Sequence, residues 1–308
     1  MSIPITDGLP VQNGTAHGLL SGLADMVHSV ATSLHFRILE VGAAPIGQPE
    51  PFHQLLDLFP GSQVIAFEVD AALCDDLNRN ARQGLEYVAV ALGRAEETRK
   101  FYNTKHPLCS SLYPPNEELL SQYHNLEMAM LDRVTSVDTV SLDRFAKDKG
   151  IGDVDFIKID IQGAELDVFQ GGTAVLKDVV MIVSEVEFVP HYIGQPLFGD
   201  VCQFLSEKSL MFQRFLKVGG GTLKPLVIDN NPDKAVQYIW TDALFIRNVL
   251  QLQSLTVDQL LKLAVLCFLY SSPDMTLRCL YWVDHRRGTN TVSRFLDLIN
   301  AGSINAVG

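Results

Sequence analysis

Apolar and polar positions in the middle of the chain follow two alternating periods. Short β-branched runs are predicted to be strands, and segments with apolar residues three or four positions apart are predicted to be helices. The predicted strands are Arg37–Val41, Gln63–Phe67, Tyr87–Leu92, Phe156–Ile161, Val179–Glu187, Met211–Lys217 and Tyr238–Ile246. The predicted helices are Gly18–Leu34, Pro51–Phe59, Ala71–Arg82, Val137–Asp148, Ala164–Phe169 and Phe198–Lys208. Such alternation indicates βαβ units, a parallel sheet and right-handed crossovers.

The pattern becomes wholly helical after Asn248. The predicted helices of this tail are Val257–Tyr270, Met275–Asp284 and Asn290–Asn300. We therefore expect an N-terminal segment and helix over residues 1–35, an α/β domain over 36–250 and a helical extension over 251–308. Between Gly93 and Val134 we expect a long polar insert, a kind of connection that is usually functional or mobile.

Composition narrows the classes of function. The 308 residues carry a formal net charge of −12, which is a poor match for a polyanion, and we expect no nucleic-acid partner. The scattered cysteines form no CxxC pair, so we expect reduced thiols and no zinc knuckle. The N-terminus lacks a signal-peptide pattern, and the most apolar stretch, Leu260–Tyr270, is too short to span a bilayer. We expect a soluble, cytoplasmic protein.

The first candidate site follows the first predicted strand. Glu40 and Gly42 end that strand, and Gly47 precedes the next helix. Glycine lets a ligand approach the backbone closely, and the carboxyl edge of an open α/β sheet is where ligands bind. The spacing lacks the middle glycine of a dinucleotide site and the Gly-Lys-Ser/Thr of a phosphate loop. Glu68 ends the second strand, where an acid binds ribose hydroxyls. This pattern favours a positively charged nucleoside without phosphates, such as S-adenosylmethionine, over a plain surface turn.

The second candidate site lies in "DFIKIDIQGAE", residues 155–165. Asp160 ends the fourth strand of the sheet and faces the same crevice, and Lys158 shares its face of the strand. We expect Lys158 to pair with an acid such as Asp160 or Glu185. Glu165 starts a helix, where a carboxylate is favoured by the helix dipole, so it has a structural explanation as well as a functional one.

A further cluster ends the next strand. Glu185 and Glu187 are followed by His191, and together with Asp160 they are the candidate catalytic bases for removing a proton from a hydroxyl. The same carboxylates could instead bind a hard divalent cation, but carboxylates near a sulfonium need no metal, so we expect none. His191 has a structural alternative as well.

These motifs together resemble the FkbM-type family of class I S-adenosylmethionine-dependent methyltransferases. The segments that carry the resemblance are Leu39–Gly47, Phe67–Asp70, Val90–Gly93, Ser110–Leu112, Val140–Phe145, Asp155–Glu165 and Ser184–Phe188. They cover roughly Arg37 to Asn248, and Asp155–Glu165 is the most specific. The departure from the family pattern is the proline-containing stretch from Ala44 to Pro51.

The resemblance implies a Rossmann-like class I methyltransferase fold: a central, mostly parallel sheet with an antiparallel late strand and helices on both faces, plus a small helical C-terminal extension. It implies S-adenosyl-L-methionine as cofactor and O-methylation of a hydroxyl on a sugar, glycan or natural product. The predicted cofactor-binding residues are Glu40, Gly42, Ala43, Gly47, Glu68, Val69, Ala91, Leu92 and Asp160. The predicted substrate-binding residues are Ser110, Ser111, His191 and Tyr192. The insert 110–133 and residues 188–199 would border the acceptor pocket, and the helical tail would close it or build a homodimer.

Other classes of protein stay open at this point. A nicotinamide-dependent oxidoreductase would use the same sheet edge, and the missing middle glycine argues against it. Only the altered loop after Gly42 supports the alternative of a non-catalytic cofactor-binding partner.

Overall fold

The computed structural model describes residues 13–43, 50–231 and 236–305. Within these residues the chain divides into two compact units. One takes its described residues from Met1–Phe36, Glu50–Ser62 and Val249–Gly308, and the other from Arg37–Pro49 and Gln63–Asn248. The sequence-based domain boundaries near residues 35 and 250 stay predictions.

The strands, in chain order, are β1 (Arg37–Val41), β2 (Gln63–Glu68), β3 (Leu85–Ala89), β4 (Ala91–Gly93), β5 (Glu97–Thr104), β6 (Leu131–Ser141), β7 (Phe156–Ile159), β8 (Met181–Glu187), β9 (Leu210–Gly221) and β10 (Gln237–Arg247). The helices are α1 (Asn13–His28), α2 (Leu55–Leu58), α3 (Ala71–Arg79), α4 (Glu117–Leu120), α5 (Leu142–Lys149), α6 (Glu165–Gly171), α7 (Phe198–Glu207), α8 (Val257–Leu269), α9 (Pro273–Arg287) and α10 (Thr291–Asn305).

The described part of the larger unit is built on a seven-stranded sheet with the order β3-β2-β1-β7-β8-β10-β9. Strands β3, β2, β1, β7 and β8 run parallel, whereas β10 is antiparallel to both of its neighbours. The carboxyl ends of the parallel strands therefore meet at one edge of the sheet, where a ligand crevice forms.

Successive side chains of each strand point alternately to the buried core on one face of the sheet and to the candidate site on the other. Leu39, Ile157 and Ile182 belong to one buried cluster with residues of α5, α6 and α7. Because successive side chains point to opposite faces, the alternate positions lie on the other face. Near the carboxyl edge these positions are Glu40, Glu68, Lys158, Glu185, Glu187 and Asp242.

Three predicted elements are corrected by the structure. The predicted strand Tyr87–Leu92 is divided at Val90, whose N–H donates to the Glu68 carbonyl, so β3 and β4 belong to different sheets. The insert from Gly93 to Val134 is not merely a connection: among the described residues β5 and β6 form a three-stranded sheet with β4. The predicted helix Val137–Asp148 begins at Leu142, because the residues before it pair with β5.

The smaller unit is helical in its described part. The N-terminus of α8 is closed by reciprocal hydrogen bonds between Thr256 and Gln259, which satisfy amides that the first turn leaves free. The Gly22 position in α1 lies against Leu298 of α10, and a Cβ there would come within 2.6 Å of its Cδ1. The predicted helices of the tail are all present as α8, α9 and α10. No helix among the described residues is long and apolar enough to cross a membrane.

Candidate active site at the carboxyl edge of the sheet

Gly42 forms the turn after β1. Its φ of +84° is a conformation that side chains disfavour. A Cβ at this position would lie 1.9 Å from the Asp160 carbonyl oxygen. The ends of β1 and β7 therefore touch, and only glycine fits between them. Ala43 is buried beside this turn, and its N–H donates to the Phe67 carbonyl. Gly47 and the other residues from 44 to 49 of the altered loop lie outside the described residues.

The end of β2 holds an oriented carboxylate. Glu68 Oε1 accepts hydrogen bonds from the N–H groups of Val69 at 2.7 Å and Asp70 at 3.2 Å. These bonds fix the carboxylate at the sheet edge, as a ribose-binding acid requires. Val69 is exposed, whereas Ala91 and Leu92, which are also predicted to bind the cofactor, are buried in β4.

Three carboxylates come together behind this edge. Among the described residues, Asp160, Glu165 and Glu185 each offer an oxygen within 4.8 Å of the others, and we call them the acidic cluster. The Gln162 amide donates to Asp160 Oδ1 at 2.9 Å and to Glu185 Oε2 at 2.5 Å. Such spacing would suit a divalent cation. In this structure the Gln162 amide occupies that role for two of the three groups, because it donates to one oxygen of Asp160 and one of Glu185.

Glu165 stabilises the turn that Gly163 permits. Its Oε1 accepts from the N–H groups of Ile161 at 2.8 Å and Gly163 at 3.3 Å. Burial raises the pKa of Glu165 to about 7, and the Asp160 charge adds to this shift. The expectation that Glu165 begins a helix is confirmed, since it is the first residue of α6.

The pKa values of the Asp160 and Glu185 carboxyl groups are shifted in opposite directions. Burial by itself would raise the pKa of Asp160, but the Lys158 ammonium and hydrogen bonds from Glu185 and Gln162 outweigh it and lower that pKa. Burial, and then the Asp160 charge, raises the pKa of Glu185 well above its ordinary value. Asp160 is therefore the charged member of the pair and Glu185 the protonated one.

Lys158 bridges two strands of the sheet. Its Nζ lies 3.6 Å from Asp160 Oδ2 and 3.4 Å from Asp242 Oδ1, and its side chain is 10% exposed. The predicted ion pair with Asp160 is confirmed by this distance. Sequence reasoning missed Asp242 and Gln162. The signal for Asp242 was a carboxylate inside the apolar run "YIWTDALFI" of β10.

The segment after β8 carries the remaining candidates. Glu187 is 2% exposed, and burial followed by the charges of Glu165 and Asp160 raises its pKa well above the ordinary value. Burial lowers the pKa of His191 to about 4, so the imidazole is neutral near pH 7. The buried His191 Nε2 has no hydrogen-bond partner among the described residues. The Tyr192 hydroxyl lies 2.7 Å from the Cys109 carbonyl oxygen and 3.1 Å from Gln162 Oε1.

The insert and this segment are joined by backbone hydrogen bonds. The Asn116 N–H donates to the His191 carbonyl at 2.8 Å, and the Ile193 N–H donates to the Pro114 carbonyl at 2.8 Å. The hydroxyl of Ser111, which is fully buried, donates to the Gln162 carbonyl at 2.6 Å, and that of Ser110 accepts from the Thr104 N–H at 3.2 Å. Both serine hydroxyls thus fix the loops around the acidic cluster, and acceptor contact by them stays a prediction.

A buried ion pair fixes the base of the insert and was missed from the sequence. Arg99 on β5 reaches Asp167 on α6, with Nη1 and Oδ2 2.6 Å apart. The Tyr113 hydroxyl donates to the same Asp167 oxygen at 3.0 Å. Charge-assisted bonds between partly buried groups are among the stronger polar contacts, and these attach the insert to the helix that follows the acidic cluster.

The sheet order, the antiparallel β10 and the acids at the carboxyl edge define a Rossmann-like class I methyltransferase fold. Residues 40–212, more than half of the chain, match the model of the methyltransferase FkbM domain. The chain belongs to that family of methyltransferases.

A curated relative is 2-O-methyltransferase NoeI from Sinorhizobium fredii (strain NBRC 101917 / NGR234). It is 29% identical over 186 residues, which cover 57% of this chain and 73% of NoeI. Among solved structures, the LepI complex with SAM aligns with 73% of this chain and 46% of its own, at 8% identity and a TM-score of 0.31. A putative methyltransferase from Thermobifida fusca YX aligns with 76% of this chain and 80% of its own, at 8% identity and a TM-score of 0.35.

Proposed function

We propose that this protein is an S-adenosylmethionine-dependent O-methyltransferase that acts on a hydroxyl of a saccharide. The observation that carries the proposal is the contact between the Gly42 turn and the Asp160 carbonyl. It joins the wall of the proposed cofactor site to the residue proposed as the base. The relative NoeI is named a 2-O-methyltransferase, which supports transfer of the methyl group to an oxygen, and the resemblance to the FkbM-type family implies a sugar or natural-product acceptor.

The residues along β1 and β2 fit a positively charged nucleoside. Gly42 keeps the strand end free of a side chain, Glu40 supplies negative charge to attract a sulfonium, and Glu68 presents an oriented carboxylate to ribose hydroxyls. The phosphates of a dinucleotide would be repelled by the Glu40 carboxylate. When bound, S-adenosylmethionine supplies a methyl group on a positively charged sulfur that leaves as a neutral thioether.

Asp160 is the proposed proton acceptor. The acceptor oxygen uses a lone pair to bond the methyl carbon, and its proton passes to the Asp160 carboxylate. Because Lys158 and Gln162 keep Asp160 charged, the base is ready before the acceptor binds. A weak base suffices here, because an oxygen that forms a third bond, to the methyl carbon, while it still carries its proton becomes an oxonium, which is strongly acidic. Positioned bases of this kind contribute roughly 10²–10⁴-fold in rate.

Glu185 assists without changing charge. Its raised pKa keeps it protonated, so it donates a hydrogen bond to Asp160 instead of repelling it. Residues 110–133 and 188–199 border the acceptor side of Asp160 in this proposal, in keeping with the backbone bonds that join them.

Calorimetry with S-adenosylmethionine, S-adenosylhomocysteine and NAD tests the cofactor, and transfer of a labelled methyl group to a saccharide panel tests the reaction. We expect binding of both sulfur nucleosides and incorporation of an alkali-stable methyl ether. Binding of NAD without either sulfur nucleoside would overturn the proposal in favour of an oxidoreductase. Cofactor binding without turnover on any hydroxyl compound would favour a non-catalytic partner.

A further inference from the structure

Trp240 stands beside the proposed acceptor site. It lies near the start of β10, directly opposite Glu187 on β8. Directly opposed residues of antiparallel strands share a face and have Cβ atoms about 5 Å apart. Burial, followed by the charges of Glu165 and Asp160, raises the pKa of Glu187, so Glu187 lies close to the acidic cluster. The Trp240 backbone is therefore two strand spacings, about 10 Å, from β7 across the sheet, and its indole extends on to Gly219 of β9.

The indole is held against the backbone of β9. Trp240 is paired with Gly219, and a Cβ at Gly219 would lie 2.0 Å from Trp240 Cε2 and 2.2 Å from its Nε1. Glycine at this position makes room for the ring. The pairing register shifts between Tyr238 and Trp240, and bulges of this kind re-aim side chains near functional sites.

Polar and charged groups flank the ring. Lys217 Nζ lies 5.4 Å from the ring centroid, and Lys217 is paired with Asp242. Lys217 is exposed and Trp240 is partly exposed, and a cation–π contact at an exposed site is weak. A ligand can therefore displace the lysine from the ring at low cost. The site combines an aromatic surface with the partly exposed carboxyl group of Asp242, whereas Glu187 is 2% exposed and out of reach of a ligand.

This combination suits a pyranose ring. The C–H groups on one face of a sugar are apolar and pack on an indole, while its hydroxyls bond to carboxyl groups at the edge of the ring. We infer that Trp240 is the platform on which a sugar ring of the acceptor stacks, with Gly219 setting the height of the indole and Asp242 binding a sugar hydroxyl. This inference rests on the proposed methyltransferase function and adds the residue that selects a saccharide.

Fluorescence tests the platform without catalysis. The sequence has two tryptophans, Trp240 and Trp282, so Trp282→Phe leaves Trp240 as the sole indole. We expect its emission to change saturably when a panel of methyl glycosides and disaccharides of common hexoses and 6-deoxyhexoses is titrated. The matched control is Trp240→Phe, in which Trp282 reports, and its emission should not respond.

Kinetics with the saccharide that is methylated complete the test. Loss of one stacking contact in Trp240→Leu should raise the KM for the saccharide about tenfold, with kcat and the affinity for S-adenosylmethionine unchanged, and Trp240→Phe should recover most of the loss. An unchanged KM in Trp240→Leu would overturn the platform, as would a Trp240 emission that no saccharide alters. Calorimetry with S-adenosylmethionine on the wild-type protein decides the proposed function separately, so the two failures are distinguishable.

Discussion

The Lys158 ammonium lies 3.6 Å from the Asp160 carboxylate, and the same ammonium lies 3.4 Å from Asp242 on a strand that arrives 84 residues later. Lys158 thereby links β7 to β10 across β8. This contact lowers the pKa of Asp160 and keeps it charged, although burial by itself favours the neutral carboxyl.

Asp160→Asn removes the proposed base without changing the shape of the side chain. We expect kcat to fall by roughly 10²–10⁴-fold, while the affinity for S-adenosylhomocysteine and the unfolding midpoint stay near those of the wild type. Single-turnover methyl transfer and thermal unfolding measure the two effects. Glu185→Gln is the matched control: because Glu185 is already protonated, its amide should mimic it and retain most of the rate. If both variants lost activity equally, the division of roles between these acids would be wrong.

Lys158→Met removes the charge that lowers the pKa of Asp160. We expect the acidic limb of the kcat/KM profile to move to higher pH, since the nearby Lys158 ammonium lowers the pKa of Asp160. Asp242→Asn keeps the ammonium beside Asp160 and should not move that limb upward. An unchanged acidic limb in Lys158→Met would show that Asp160 is not the group that titrates.

Gly42→Ala introduces a methyl group where the ends of β1 and β7 touch. The Cβ would meet the Asp160 carbonyl oxygen at 1.9 Å, and the left-handed backbone adds strain of about 1–2 kcal/mol. We expect loss of cofactor binding by calorimetry together with lower stability. Gly199→Ala is the matched control in the same unit, because a Cβ there meets nothing within 4 Å and alanine is favoured in a helix. Normal cofactor affinity in Gly42→Ala would remove this turn from the proposed site.

Glu165→Gln tests the buried acid at the start of α6. The folded pKa of Glu165, about 7, exceeds its ordinary value, so the folded state holds the proton more tightly than the unfolded state. This contribution to stability is complete below the unfolded pKa and is lost as pH rises through about 7. Urea unfolding between about pH 5 and pH 8 should therefore show wild-type stability falling relative to Glu165→Gln.

The glutamine keeps an oxygen to accept from the N–H groups of Ile161 and Gly163, so the turn itself should survive. Glu118→Gln, at an exposed carboxylate in α4, is the control and should follow the wild type across the pH range. Parallel pH curves for wild type and Glu165→Gln would contradict the raised pKa.

Local patterns predicted much of the sheet. Alternation in "FIKI" and "RILEV" located β7 and β1, and the glycines after them marked turns at the carboxyl edge. The small sheet of β4, β5 and β6 was missed because β5, "ETRKFYNT", is largely polar and has no buried run of its own. β5 is recognisable only by its pairing with β6, whose paired residues lie 27 (Thr104 with Leu131) to 42 (Glu97 with Thr139) positions further along the chain.

The acids of the candidate site were predictable from the sequence, but the residues that hold them by hydrogen bonds and ion pairs were not. Asp160, Glu185 and Glu187 follow from their positions at strand ends. Gln162 and Asp242 do not, because their roles depend on a left-handed backbone at Gln162 and on the register of β10 against β8.

Local sequence was enough to predict that strands alternate with helices, that acids gather where the strands end and that glycine follows β1, because these properties depend on residues close together in the chain. Only the three-dimensional arrangement lowers the pKa of Asp160, raises that of Glu185 and places Trp240 against Gly219. Those properties depend on burial and on partners brought from distant strands, since a carboxyl pKa is set by the charges and hydrogen bonds within a few ångströms of it.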